Sequence, residues 1–211
     1  MTDERTTVFV IDDDSSARRG ISRLIQAAGM SVQTYDSAMA FLAHTQDRNE
    51  HGCIVLDVKM PGLSGLDLQA ELIKSDRALP IIFVSGHSEI PEAAEAMKKG
   101  AVHFLTKPVD RDHLITAIAE ALERDRENCK TLTQRAAIQK RLATLSPREH
   151  TILEYVISGM LNKQIAYALG ITEDTVKVHR RRVMKKMQAG SLAELVRMAE
   201  FVGITPAENV D

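Results

Sequence analysis

Carboxylates stand where short apolar runs end. Asp12, Asp13 and Asp14 follow Thr7–Ile11, and Asp57 follows residues 53–56. Two further apolar runs end on other polar groups: Ser85-Gly86 after residues 81–84, and Thr106-Lys107-Pro108 after residues 102–105. Clustered carboxylates repel one another, and a hard divalent cation relieves that repulsion; an oxygen-only ligand set with room for water suits Mg²⁺. A carboxylate can also attack phosphorus and become an aspartyl phosphate. The oxygens of the transferred group then need positive charge and donors, which Mg²⁺, the Lys107 ammonium and the Ser85 hydroxyl can supply. One acidic residue at a strand end is usually a helix cap or a solvated turn, and Asp14 reads that way. The conjunction at four strand ends is what carries the chemistry.

The elements that must bring these groups together are legible as alternating patterns. The runs at 7–11, 31–35, 53–56, 81–84 and 102–105 read as short strands, the apolar ones buried on both faces. Between them lie helical stretches, the first capped by Ser15 or Ser16 and stopped by Gly29, the third running over about 66–74, the fourth over 91–99 and the fifth starting near Asp110. Five strands alternating with five helices predict a doubly wound α/β domain with a parallel sheet. The flavodoxin-like order 2-1-3-4-5 is the expected topology. Ligands of such sheets bind at the carboxyl ends of the strands, where the polar residues gather.

The charge balance divides the chain. The whole protein of 211 residues has a formal net charge of −2, yet residues 1–125 carry 13 basic and 20 acidic residues, and residues 173–188 carry 6 and 2. An acidic front and a basic rear segment place a nucleic-acid site in the C-terminal part. No apolar run is long enough to suggest a membrane span. The polar start, Met1 to Arg5, gives no sign of a signal peptide. Cys53 and Cys129 lack metal-ligand spacing and read as reduced thiols of a cytoplasmic protein.

Residues 110–143 contain no Gly or Pro and carry apolar residues at helical spacing. One long helix, or two joined near residues 126–132, is expected. Then Ser146-Pro147-Arg148-Glu149 forms a helix start with a capping box. Helices follow over about 147–158, 162–169, 173–188 and 191–202. Gly170-Ile171-Thr172 joins the second and third of these as the turn of a helix-turn-helix. The helix after such a turn enters the DNA major groove. Val176, Val183 and Met187 are expected in its core, with Lys177, Arg180, Arg181 and Lys185 outward.

Two resemblances sharpen these readings. Residues 5–124 resemble the receiver domain of response regulators, through residues 8–14, residues 54–62, Val84-Ser85-Gly86 and residues 104–108. That resemblance implies Asp57 as phospho-acceptor and Asp13 and Asp57 as direct Mg²⁺ ligands. Asp12 then acts through water, and the Lys59 backbone carbonyl completes the protein ligands. It also implies Lys107 as the cation on the phosphoryl group, Ser85 and Phe104 as switch residues, and a cis Lys107–Pro108 bond. Phe104 is often Tyr in the family, and His87-Ser88-Glu89 departs from the His-Gly-Asp of FixJ-like relatives.

Residues 143–203 resemble the LuxR-type helix-turn-helix, through residues 145–149, 159–166, 169–171 and 175–180. There Lys177, Val178 and Arg181 are implied to reach base edges, and Lys163, Thr172 and Lys185 to hold phosphates. Arg182 stands where the family often has Asn. Leu195 and Val196 are implied at a dimer face.

Together the chain resembles a two-component response regulator of the FixJ/NarL type: receiver at 1–124, helical linker at 125–142, DNA-binding domain at 143–211. The implied partners are a sensor histidine kinase, double-stranded DNA, a second copy of the chain on phosphorylation, and RNA polymerase. The resemblance implies a transcriptional regulator and no enzyme in the usual sense. An aspartyl-phosphate hydrolase would carry a second carboxylate at position 59, where Lys stands. A nucleotide-binding Rossmann sheet would carry a Gly-rich loop where Asp12 to Asp14 stand.

Overall fold

The computed structural model describes residues 6–45, 50–74, 79–86 and 90–207. The polar start and the His87-Ser88-Glu89 loop lie outside the described residues. The chain divides into two compact units, residues 1–128 and 129–211.

In the first unit five strands, β1 (Thr7–Ile11), β2 (Ser31–Tyr35), β3 (Gly52–Asp57), β4 (Ile81–Ser85) and β5 (His103–Thr106), alternate with helices α1 (Ser15–Ala27), α2 (Ala38–Thr45), α3 (Gly65–Ile73), α4 (Ile90–Lys98) and α5 (Arg111–Leu142). The strands are parallel in the order β2-β1-β3-β4-β5, as the sequence pattern predicts.

Side chains alternate across a strand, so each central strand feeds two cores. Phe9, Ile11, Ile54, Leu56 and Phe83 pack with Phe41, Leu68 and Ala96 of α2, α3 and α4. Val8, Val10, Cys53, Val55, Ile82 and Val84 pack with Ile21 and Ile25 of α1 and Leu114, Ile118 and Ala121 of α5. Cys53 is a buried thiol whose pKa desolvation pushes up to about 12, far from reactive thiolate.

Local details are settled by the structure. The N-cap of α1 is Asp14, read from the sequence as a cap or a turn, whose side chain accepts from the Ser16 amide; Ser15 and Ser16, the other cap candidates, are already helical. The carboxylate reaches the second amide of the first turn, and its charge suits the helix N-terminus. Strand β5 runs one residue later than expected. Of the two possibilities for the connector, the structure has one helix, α5, 32 residues long. Its start packs in the first unit's core, Leu132 is exposed, and Ile138 belongs to the second unit's core.

The second unit comprises the end of α5 and helices α6 (Pro147–Ile157), α7 (Asn162–Leu169), α8 (Glu173–Met187) and α9 (Leu192–Phe201). Ser146 and Glu149 form the expected capping box, with Pro147 in the first turn. Gly170 ends α7 at φ 62°, a left-handed position that glycine takes without a Cβ penalty. Ile152, Leu153, Ile165, Val176, Val183, Met187 and Leu195 make the core. Leu195 is 0% exposed, which removes it from the expected dimer face. Ser191 caps α9, so Leu195 and Ala199 stand at i and i+4 on the inner side.

Candidate functional site

The carboxyl ends of β1, β3 and β5 bring together the residues that the sequence singled out. One ligand atom each of Asp12, Asp13 and Asp57 lies within 4.8 Å of the others. Lys107 reaches in from the end of β5, its Nζ 2.7 Å from Asp12 Oδ2 and 2.8 Å from Asp57 Oδ1. Asp12 and Asp57 are buried, and Asp13 is exposed. Both Asp12 oxygens are engaged, since Oδ1 accepts the Asp14 amide at 2.9 Å.

The electrostatics match the geometry. Burial pushes the Asp57 pKa up, and the hydrogen bond and charge of Lys107 oppose it, with Asp12 and Asp13 adding to the rise. Burial pulls the Lys107 ammonium down, but its hydrogen bonds to Asp12 and Asp57 outweigh that and leave its pKa above the ordinary value. Three carboxylates against one ammonium leave an excess of negative charge, and the donor set is oxygen throughout. That set fits Mg²⁺.

The backbone around Asp57 is closely built. A Cβ on Gly65 would stand 2.2 Å from the Asp57 carbonyl oxygen, so glycine lets α3 start against the end of β3. Ser64 and Asp67 cap that helix reciprocally. Lys59 follows on the β3–α3 loop, and its ammonium faces Glu92 of α4 at 3.6 Å. Ser85, the last residue of β4, is 2% exposed, and its carbonyl accepts the Lys107 amide at 2.8 Å. Phe104 is half-buried, its ring 6.3 Å from that of Phe83. The Lys107–Pro108 bond is cis.

In the second unit, α8 carries Lys177, Val178, Arg181 and Lys185, all exposed, and Val178 is 48% exposed despite being apolar. Residues 178, 181 and 185 follow helical spacing along one side, with 177 beside 181. Thr172 caps α8, its side chain accepting the Thr175 amide at 3.2 Å. Lys163 lies exposed in the first turn of α7. Lys177 faces Asp174 at 3.1 Å and Glu173 at 3.5 Å, and the hydrogen bond to Asp174 with these charges raises its pKa.

Sequence reasoning missed two anchors. Arg180 donates to Asn162 Oδ1 at 3.1 Å, tying α8 to the start of α7 rather than standing outward. Arg18 donates to the carbonyl oxygens of Asp12 and Asp13. An arginine in a first helical turn carries no sequence signal that separates it from a solvated one.

Comparisons with known proteins agree on both units. Residues 8–119 match the response regulator receiver domain, and residues 143–199 match the LuxR family of bacterial regulatory proteins. Nodulation protein W of Bradyrhizobium diazoefficiens is 45% identical over 201 residues, 95% of this chain and 88% of that protein. The transcriptional regulatory protein FixJ of Azorhizobium caulinodans is 44% identical over 206 residues, covering 98% and 97%. Among solved structures, the response regulator StyR aligns with a TM-score of 0.79 at 43% identity, covering 93% of this chain and 98% of that one. Full-length FixJ from B. japonicum aligns with a TM-score of 0.56 at 40% identity, covering 95% and 98%. With an acidic receiver pocket and a helix-turn-helix on one chain, this protein belongs to the FixJ/NarL-type response regulators, the transcriptional regulators of two-component systems.

Proposed function

We propose that this chain accepts a phosphoryl group on Asp57 from a sensor histidine kinase, and that phosphorylation promotes dimerisation and tighter operator binding. The observation that carries the reading is the Lys107 ammonium set between Asp12 and Asp57, with Asp13 completing an acidic triad. An Asp57 carboxylate oxygen attacks phosphorus, the bond from phosphorus to the donor atom breaks, and the donor leaves with its electron pair. Lys107 offers its positive charge to the oxygens of the transferred group. Asp12, Asp13, Asp57 and the Lys59 backbone carbonyl would hold Mg²⁺, which supplies charge neutralisation at those oxygens. The chain is thus a phospho-acceptor, not an enzyme in the usual sense.

The domains in this reading are the receiver at 1–124, a helical linker at 125–142 and the DNA-binding domain at 143–211, working in the cytoplasm. Ser85 turns its hydroxyl to the phosphoryl group and Phe104 turns inward. The face carrying Ala94, Met97 and Lys98, exposed on α4 beside Val102, then becomes self-complementary and forms a two-fold dimer. Pairing raises the local concentration of the second DNA-binding domain at a paired half-site. Lys177, Val178 and Arg181 read base edges, and Lys163, Thr172 and Lys185 hold phosphates. RNA polymerase is the further partner of a DNA-bound regulator. No helix among the described residues is long and apolar enough to cross a membrane.

Sedimentation and operator titration, each with and without acetyl phosphate and Mg²⁺, test the coupling. Phosphorylated chain should sediment as a dimer at the concentrations where it gains operator affinity. A monomer with that gain would replace dimerisation by release of an inhibitory contact between domains.

A further inference from the structure

We propose that Arg18 is a positioning residue for the phosphorylation site: it sets the backbone that aims Asp13 at the cation position, and so sets the Mg²⁺ affinity. The inference rests on the reading of the acidic triad as a Mg²⁺ site.

Only three residues separate the end of β1 at Ile11 from the start of α1 at Ser15, and all three are aspartates. Like charges so close together repel, and the loop keeps its shape only where its groups are held. Asp12 is held on several sides: its amide donates to the Tyr35 carbonyl at 3.2 Å, its Oδ1 accepts the Asp14 amide at 2.9 Å, and its Oδ2 meets Lys107. Asp14 is held as the cap of α1, its Oδ1 accepting the Ser16 amide at 2.7 Å. Asp13 is different. It is exposed, and among the described residues its carboxylate makes no hydrogen bond. Where its carboxylate can reach therefore depends on where its backbone places it.

That backbone is held by Arg18. The Arg18 Nη1 donates to the Asp12 carbonyl oxygen and, at 3.3 Å, to the Asp13 carbonyl oxygen. The Arg18 amide in turn donates to the Asp14 carbonyl at 2.9 Å, which fixes the root of the side chain in the first turn of α1. One guanidinium so clamps two successive peptides with charge-assisted bonds. With both carbonyls held on the arginine, one carboxylate oxygen each of Asp12 and Asp13 lies within 4.8 Å of one of Asp57.

Charge and position make opposite predictions here. A guanidinium near a dication site repels the dication, so if Arg18 acted by charge alone its removal would tighten Mg²⁺ binding. If it acts by placing Asp13, its removal weakens binding. Outer groups that orient metal ligands typically set affinity by about 10-fold or more.

The test is the Mg²⁺-dependent rise in melting temperature of the full chain, with the rate of phosphorylation by acetyl phosphate recorded across the same Mg²⁺ series. For Arg18→Met the Mg²⁺ concentration at half effect should rise about tenfold. The rate at saturating Mg²⁺ should return to within about twofold of the unsubstituted protein, because no group at the reacting atoms is lost. Arg18→Lys keeps a charged donor on a shorter side chain and should fall between the two; it also serves if Arg18→Met does not fold. An unchanged or lower half-effect concentration in either variant overturns the assignment of Arg18 alone. An unsubstituted chain indifferent to Mg²⁺ overturns the reading of the triad and this inference with it.

Discussion

Each unit of this protein sets a lysine against buried carboxylate, and the two arrangements differ in what they leave over. In the second unit Lys186 lies 2.6 Å from Glu149 Oε2 and also donates to the Thr144 carbonyl at 2.9 Å. Glu149 Oε2 accepts the Ser146 amide at 2.8 Å, and the glutamate is 3% exposed. One cation meets one anion with neutral donors and acceptors around them, and the hydrogen bond from Lys186, helped by the Ser146 amide, pulls the Glu149 pKa down to about 2. In the first unit one ammonium serves two buried carboxylates with a third beside them, and Asp57 is pushed up, not down. A closed pair fixes architecture: it ties the C-terminal part of α8 to the cap of α6. An open set with surplus negative charge has an unmet demand for a cation, the demand that the proposed Mg²⁺ would meet. Burial and a lysine partner are common to both, so neither marks a site by itself.

The comparison can be broken most sharply at Glu149. Glu149→Ala removes a buried carboxylate that accepts from Lys186 and from the Ser146 amide, unties the capping box, and should cost about 3 kcal/mol in chemical denaturation. The sign with pH follows from the depressed folded pKa. The stabilisation is present in full above the ordinary value of 4.5 and is lost as pH falls toward 2. The unsubstituted protein should therefore lose stability across that window, and Glu149→Ala should lose less. Equal acid sensitivity in the two would remove the closed pair from the account.

The DNA face should show smaller effects, and of two kinds. Lys177→Ala and Arg181→Ala should each cost about 2 kcal/mol on a specific operator and little on random DNA. For Lys177 part of the gain in the unsubstituted protein is offset by the exchange of its own partners, Asp174 and Glu173, for a base edge. Lys163→Ala should weaken all sequences alike and lower the salt slope by about 1. Equal losses on specific and random DNA for Lys177→Ala would move it among the phosphate contacts.

The smallest effect carries the opposite sign. Because Asp57 has a raised pKa, its charged form is disfavoured by the fold, so its ionisation at neutral pH costs stability. Asp57→Asn in the absence of divalent cations should raise stability slightly, where Glu149→Ala lowers it. A loss of stability on Asp57→Asn would make the two units alike.

Most of the fold was legible because its signals are periodic. The fully apolar strands with polar ends named their own topology, and Ser146-Pro147-Arg148-Glu149 announced α6. The site was legible because strand ends converge in a doubly wound sheet, which brings Asp12 with Asp13, Asp57 and Lys107 to one place. What stayed hidden depends on side chains reaching across several residues. Asp14 reads as a cap or a turn and Ser15 or Ser16 as the cap, and only the Asp14 carboxylate on the Ser16 amide decides between them. Leu195 looked like a surface leucine of a dimer face, but the phase of α9 set by its Ser191 cap turns it inward. Arg180 reads as an outward residue and Arg18 carries no signal at all until their acceptors, an asparagine oxygen and backbone carbonyls, are in view.

Intact-mass analysis after exposure to acetyl phosphate and Mg²⁺ tests the open site most directly. The unsubstituted chain should gain one phosphoryl group, labile to hydroxylamine as an acyl phosphate is, and Asp57→Asn should gain none while remaining folded. A hydroxylamine-labile phosphoryl adduct of equal yield on Asp57→Asn would contradict the account.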